Sequence, residues 1–208
     1  MNILKKYVTY AALALSFTGC AVAPALPPEQ RPFNWAQAVG NANIATQGLS
    51  NLYQVSPVLY RSAQPSADGL TLLNQQMAVS YGLPKEIKTV LNLRNNDGDG
   101  ALVMPTGVRY EQITFDTWHV KEDYVVRFLK IVRNPANQPV LLHCKHGSDR
   151  TGMMTAIYRI VEQGWSKEDA IAEMTQGGFG YHPIWSNLIR YIENMDVAEI
   201  KRKVALAQ

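Results

Sequence analysis

Cysteine is nearly absent, with two in 208 residues, Cys20 and Cys144. So low a count excludes a disulfide-stapled scaffold, and no disulfide between the two is expected. A strong charge of one sign is also missing: 20 Lys and Arg stand against 17 Asp and Glu, a net of +3. That balance does not support nucleic-acid binding, which draws on many phosphate contacts. Partners must therefore be inferred from a site rather than from overall charge. The apolar run Val8–Thr18 is about half the roughly 20 residues that span a bilayer, which excludes a permanent transmembrane helix there. There is no internal repeat and no sign of a second domain. What is present is ordinary globular composition, 47% hydrophobic, with length for one domain and some extra at an end.

The N-terminus carries Lys5 and Lys6, then the apolar run, then Gly19-Cys20. A basic start, a short apolar stretch and a small residue at the cut describe a secretory signal over 1–19. Leu15-Ser16-Phe17-Thr18-Gly19-Cys20 resembles a bacterial lipobox, with Phe17 where Leu is usual. The resemblance implies that Cys20 is acylated and begins the mature protein, anchoring it stably to a membrane. Ala21 in place of Asp implies outer-membrane sorting, by resemblance to Gram-negative lipoproteins. The other reading is an ordinary signal peptide with an incidental cysteine. Residues 20–48 form a linker and lead-in. Pro24, Pro27, Pro28 and Pro32 make its first part an extended spacer, and Phe33–Leu49 is ambiguous, a lead-in that docks on the domain. The folded domain is expected over 49–208.

From Leu52 the pattern is α/β. Short strands are expected at 53–55 and 58–60, and a helix over Ala67–Tyr81 ends at Gly82. Lys88–Leu93 and Arg109–Thr114 read as strands, and Asn95–Gly100 as a turn-rich loop. A helix follows over Glu122–Val132, closed by Asn134-Pro135. Pro139–Cys144 is a short apolar run suited to a buried central strand. Arg150–Gln163 is helical to Gly164, Ser166 caps Lys167–Thr175, and Ile184–Val204 is mostly helical. Alternating strands and helices predict a central, mostly parallel sheet flanked by helices.

The informative segment is His143-Cys144-Lys145-His146-Gly147-Ser148-Asp149-Arg150-Thr151-Gly152, between the buried strand and a helix. Backbone N–H groups entering a helix have no intrahelical partners and can converge on an anion. Such a nest cradles a phosphate, and Arg150 can add a bidentate charge-assisted pair. A cysteine at the floor of that positive field favours its thiolate, a nucleophile placed for in-line attack on phosphorus. His143, Cys144 and His146 make a poor zinc site, with no fourth ligand in pattern, so no metal is expected.

This segment resembles the loop of the protein-tyrosine and dual-specificity phosphatase superfamily. Cys144 and Arg150 enclose five residues, with Gly147 at the family's glycine and Thr151 after the arginine. Leu59-Tyr60-Arg61-Ser62-Ala63-Gln64-Pro65 and Lys88–Arg94 are similar to segments of compact bacterial and fungal members. The resemblance implies a cysteine-dependent phosphatase fold and a phosphocysteine intermediate at Cys144. Arg150 would bind the equatorial oxygens, and Lys145, His146, Gly147, Ser148, Asp149, Thr151 and Gly152 would form the phosphate-binding loop. The Thr151 hydroxyl would assist the departing thiolate, and His143 would orient the loop. No cofactor is implied, because arginine and backbone amides do the electrostatic work.

The leaving oxygen also needs a proton donor. By resemblance this is an Asp on a separate loop, and Asp116, 28 residues before Cys144, takes that place. Asp149 is a rival, by resemblance to myotubularin-type lipid phosphatases. Asp97 and Asp99 are weaker candidates, with turn chemistry as their plainer explanation. His182 stands alone and receives no role. Trp165, Phe179, Tyr181 and Trp185 are assigned to core or rim, and the pair Trp118 and His119 to the surface or the cleft edge.

The functions in competition are a tyrosine or dual-specificity protein phosphatase, an inositol phosphate or phosphoinositide phosphatase favoured by Lys145, His146 and Asp149, and a phosphate-binding module without turnover. Substrates are accordingly a phosphorylated protein or a small phosphate. The location expected is the cell envelope, lipid-anchored.

Overall fold

A computed structural model describes residues 23–39, 44–73, 86–96 and 99–206. Among the described residues, six strands form one sheet in the order β1-β2-β3-β6-β4-β5. They are β1 (Gln37–Ala38), β2 (Tyr53–Ser56), β3 (Leu59–Ser62), β4 (Thr89–Asn92), β5 (Arg109–Gln112) and β6 (Val140–His143). β3, β6, β4 and β5 run parallel, while β1 and β2 are antiparallel to their neighbours. The expected α/β architecture is the one observed.

β6 shows why the sheet forms. Its Val-Leu-Leu-His run is buried at every position, because β3 pairs with one edge and β4 with the other. Successive side chains point to opposite faces. Val140 and Leu142 join Leu59 and Leu91 in one core, and Leu141 joins Tyr60 and Val90 in the other. An apolar run buried on both faces is what a central parallel strand requires.

The helices are α1 (Ala67–Leu72), α2 (Gly100–Val103), α3 (Glu122–Arg133), α4 (Asp149–Gln163), α5 (Lys167–Gln176), α6 (Ser186–Asn194) and α7 (Val197–Ala205). α3 buries Val125, Val126, Phe128, Leu129, Ile131 and Val132 as one stripe. Glu122 and Asp123 in its first turn and Lys130 and Arg133 in its last match the helix dipole. α4 ends at Gly164, whose φ of 72° gives the left-handed cap. Ser166 caps α5 by accepting from the Asp169 amide at 3.0 Å.

Of the helix expected over 67–81, Ala67–Leu72 is described, and residues 74–82 lie outside the described residues. So do the segment 1–19, Cys20 and Asp97. The turn-rich loop enters a short helix, α2, at Gly100. The stretch expected as mostly helical from Ile184 is a 3-10 turn followed by two helices, because Asp196 opens α7 by accepting from the Glu199 amide. Ahead of the expected domain start, β1 adds a strand to β2, with Trp35 and Ala36 buried. The Ala36 amide donates to Glu173 at 2.6 Å, and Glu173 also takes two bonds from the Arg159 guanidinium. A buried charge pair needs such complete satisfaction. Among the described residues, no helix is long and apolar enough to cross a membrane.

Candidate active site

The site grows from the carboxyl ends of three parallel strands, where open α/β sheets bind ligands. Ser62, His143 and Asn92 stand in register at the ends of β3, β6 and β4. The chain leaves β6 at His143, crosses residues 144–148 and enters α4 at Asp149. The interval is short, so the loop closes over the free N–H groups of the α4 terminus.

Its shape is set from outside. Gly147 has φ of 73°, and a Cβ there would lie 2.6 Å from the backbone of Ser62 and Ala63. Only glycine allows that conformation and that approach. The Gly147 carbonyl accepts from Arg61 Nη2 at 2.6 Å. The His146 carbonyl accepts from Asn51 Nδ2 at 2.9 Å, and the Lys145 carbonyl from the Gln64 amide at 3.2 Å. Ser148 Oγ donates to the Phe179 carbonyl at 2.8 Å. The loop carbonyls are thus drawn toward β3 and its neighbours.

Cys144 is buried at 3% exposure with its thiol free. It lines a cleft of about 270 Å³ with Lys145, His146, Asp149, Arg150, Thr117, His182, Ile184 and Trp185. Arg150 Nη1 donates to the carbonyls of Leu93 at 3.0 Å and Phe115 at 3.2 Å, which holds the guanidinium between the loops after β4 and β5. Thr151 is fully buried, and its hydroxyl has no hydrogen-bond partner among the described residues. Trp118 packs edge to face on Trp185, with ring centroids 4.4 Å apart, giving the cleft an aromatic rim.

Burial displaces the pKa of two groups behind the loop. His143 donates from Nδ1 to the Cys144 carbonyl at 3.2 Å. Burial pulls its pKa from 6.5 down to about 4, against upward pulls from that carbonyl and from Asp99. Arg61 is fully buried, with its guanidinium 3.9 Å from the centre of the Phe179 ring. Burial lowers its pKa to about 10, opposed by Glu173 and Cys144.

The acids expected from sequence separate clearly. Asp116 is exposed and does not line the cleft; its Oδ1 accepts from the Trp118 amide at 3.2 Å. Asp149 is buried inside the loop and accepts from the His182 amide at 2.9 Å and from His182 Nδ1, also at 2.9 Å. Asp99 is buried, bonded to Asn92 Nδ2 at 3.0 Å, with His143 Nε2 3.8 Å away. It supports the floor of the site rather than facing the cleft.

Sequence reasoning misses Arg61, Asn51 and His182. His182, left without a role, is at the cleft and held by the loop itself. For Arg61 the one signal is its place in the Tyr-Arg-Ser stretch of β3, and for Asn51 there is none. Among the described residues, no group of three or more His, Cys, Asp or Glu could hold a metal ion.

Comparison with known proteins shows the family of the chain. A family model described as DSP-PTPase phosphatase fused to NAD+ kinase matches residues 29–186. The dual specificity protein phosphatase TpbA of Pseudomonas aeruginosa is 36% identical over 172 residues, covering 82% of this chain and 71% of that protein. The inositol diphosphatase SIW14 of Saccharomyces cerevisiae is 26% identical, over 73% of this chain and 53% of its own length. Among solved structures, TpbA in complex with phosphotyrosine superposes with a TM-score of 0.67 at 34% identity, covering 84% of this chain and 98% of that one. The SIW14 catalytic core in complex with citrate gives 0.64 at 26% identity, over 76% and 93%.

Proposed function

The chain belongs to the DSP-PTPase phosphatase family and is a phosphatase, and from this premise we propose that it hydrolyses phosphomonoesters of tyrosine, and of serine or threonine, through a phosphocysteine at Cys144. The observation that carries the reading is Cys144 at the floor of a cleft shared with Arg150. The thiolate attacks phosphorus as the ester oxygen leaves. Arg150 exchanges its two carbonyl partners for two phosphoryl oxygens, a bidentate charge-assisted contact. The loop amides from Lys145 to Arg150 bind the remaining oxygens. Thr151, with an unpartnered buried hydroxyl, donates to Sγ when the phosphocysteine is cleaved. The aromatic rim of Trp118 and Trp185 supports a substrate whose ester carries a ring, and the TpbA complex contains phosphotyrosine.

A second reading has its own observation. Lys145, His146 and His182 line the same cleft and suit a substrate with several phosphates, and SIW14 is named an inositol diphosphatase. A phosphotyrosine peptide and an inositol polyphosphate, compared at equal concentration, separate the two. A preference above tenfold, about 1.4 kcal/mol, decides between them.

The decisive experiment uses the chain from Cys20 onward, with Cys20 replaced by Ser. We expect chelator-resistant phosphate release from an aryl phosphate, and none from Cys144→Ser. Release that persists in Cys144→Ser refutes the phosphocysteine route. We further propose that the segment 1–19 directs export and that Cys20 carries lipid, placing the domain at the cell envelope. The support is the lipobox-like ending at Cys20.

A further inference from the structure

β3 is buried at every position, and one of those positions is an arginine. Arg61 pairs with Leu142 of β6 and is fully buried. Its guanidinium lies against the back of the phosphate loop. Nη2 donates to the Gly147 carbonyl at 2.6 Å, and a Cβ on Gly152 in the first turn of α4 would lie 3.9 Å from the same nitrogen. Phe179 covers the guanidinium with its ring, 3.9 Å from carbon to ring centre. That ring is placed by the loop in turn, because the Phe179 carbonyl accepts from Ser148 Oγ at 2.8 Å and from Asn51 Nδ2 at 3.0 Å.

A cation taken out of water has to be compensated. One carbonyl and one ring face compensate Arg61 in part, while Nε and Nη1 have no hydrogen-bond partner among the described residues. Glu173, the buried carboxylate of α5, is occupied by two bonds from Arg159 and one from the Ala36 amide. The other anion this neighbourhood can hold is the thiolate of Cys144, carried by the same loop. Burial pulls the pKa of Arg61 down to about 10, and the charges that oppose this are Glu173, then Cys144, then Tyr53, with Arg159 acting the other way. The guanidinium is therefore charged at neutral pH. Attraction between two charges is mutual, so a thiolate that favours the cation is favoured by it to the same degree.

We propose that Arg61 is a positioning residue for this reaction, acting through Cys144: its guanidinium ties the back of the phosphate loop to β3, and its charge favours the nucleophilic thiolate. The inference rests on the phosphocysteine reading. Arg61 differs in kind from Arg150. Arg150 lines the cleft and can reach a phosphoryl oxygen, whereas Arg61 is sealed behind the loop and touches no substrate. The two cations bracket the loop, one on the ligand side and one on the core side.

The other charges around this pair come from each element packed against it. β6 gives His143, whose Nδ1 donates to the Cys144 carbonyl and whose pKa burial pulls down to about 4, so the ring is neutral above that. Behind it Asp99, just ahead of α2, stands 3.8 Å from Nε2, with Arg94 3.9 Å from the same carboxylate. The loop and the start of α4 give Lys145, His146, Asp149 and Arg150, and His182 is bonded to Asp149. β2 gives Tyr53, α5 gives Glu173 and the body of α4 gives Arg159. The loop after β5 gives Asp116, which is exposed. All of these groups are common to the variants compared below, so a difference between variants belongs to position 61.

Thiol alkylation tests the assignment without turnover. In the full chain carrying Cys20→Ser, Cys144 is the one cysteine left, so its reaction with iodoacetamide, read by intact mass, reports the thiolate directly. Rates are taken from about pH 5 to about pH 9, the range over which thiols ionise, each normalised to its alkaline plateau. The reference protein, Arg61→Lys and Arg61→Gln are compared, with thermal melts and with kcat and KM on 4-nitrophenyl phosphate. Arg61→Gln keeps a donor and removes the charge. Its normalised rate near pH 6 is expected to fall on the order of tenfold, and kcat to fall with it. Arg61→Lys keeps the charge and loses the rigid fork. Its alkylation profile is expected to stay within about twofold of the reference, while kcat falls more than KM rises. A folded Arg61→Gln with an unmoved alkylation profile overturns the proposal, since a purely structural tie would leave the profile in place. If Arg61→Gln does not fold, Arg61→Lys decides, and a displaced profile or an unchanged kcat overturns the proposal. An inactive reference protein, or turnover that survives in Cys144→Ser, refutes the phosphocysteine reading instead, and the two failures are told apart because alkylation does not depend on turnover.

Discussion

At the scale of single residues, the largest fully buried side chain among the described residues is a charged one, Arg61. Its Nη2 holds the Gly147 carbonyl, while Nε and Nη1 have no hydrogen-bond partner among the described residues. Phe179 offers its ring face to the cation, an attraction that grows when water is excluded. His143 is buried just as deeply but stays neutral, its pKa lowered from 6.5 to about 4 chiefly by burial. The unfolded chain takes up that proton near 6.5, and the folded one resists until about 4. The unfolded state therefore binds more protons within that window, and stability rises with pH there. Burial of a neutral His143 thus carries no protonation penalty above pH 6.5, and stability falls progressively as pH drops toward 4. Urea midpoints across this range should fall less steeply in His143→Gln than in wild type. Parallel slopes in the two proteins would contradict a buried neutral imidazole.

At the scale of elements, the strand β6, the loop and α4 work as one device, and this part is legible in the sequence. A strand of four buried residues, a five-residue interval from Cys144 to Arg150 and a helix ended by Gly164 are all local patterns. What escapes a reading along the chain is what holds the loop from elsewhere. Arg61 reaches Gly147 across 86 positions, and Asn51 reaches His146 across 95. His182 meets Asp149 across 33. Periodicity and spacing report neighbours along one element, not pairings made by the sheet and the turns between helices. Asp116 stands on the loop after β5 beside Thr117, which lines the cleft, and its own Oδ1 accepts from the Trp118 amide. One pairing of elements can be tested directly. Gly147→Ala places a Cβ 2.6 Å from the β3 backbone at a φ of 73°. It should cost more than about 1 kcal/mol in stability and displace the loop amides. We expect a loss of kcat on aryl phosphate that exceeds any rise in KM. Unchanged kinetics would mean that β3 does not set the loop.

At the scale of the whole molecule, the chain ahead of β2 reads in sequence as an extended spacer and then a docking lead-in, and the bonds to the domain begin earlier, within the spacer, at Leu26. The Leu26 amide donates to the Gln176 carbonyl at 2.8 Å, and Arg31 Nε returns to the Leu26 carbonyl at 2.9 Å. Ala36 then seals Glu173, and β1 closes on β2. Density of proline indicates an extended path, but nothing in that composition announces a carboxylate waiting on α5. The proposed lipid attachment at Cys20 has its own check. Cells expressing the full chain and fed a clickable fatty acid should label wild type and not Cys20→Ser. Equal labelling of both, or of neither, would remove the anchor from the account.

The bond from Leu26 to α5 has a consequence for such an anchored enzyme. Between Cys20 and the first secured residue there are so few links that, even fully stretched, they span only about 20 Å. The catalytic domain would be on a short leash, patrolling a thin shell of solvent beside the bilayer. Its effective substrate would be set by what enters that shell as much as by what fits the cleft: exposed tails of membrane-bound proteins would be within reach, and distant soluble phosphoproteins would have to come to it.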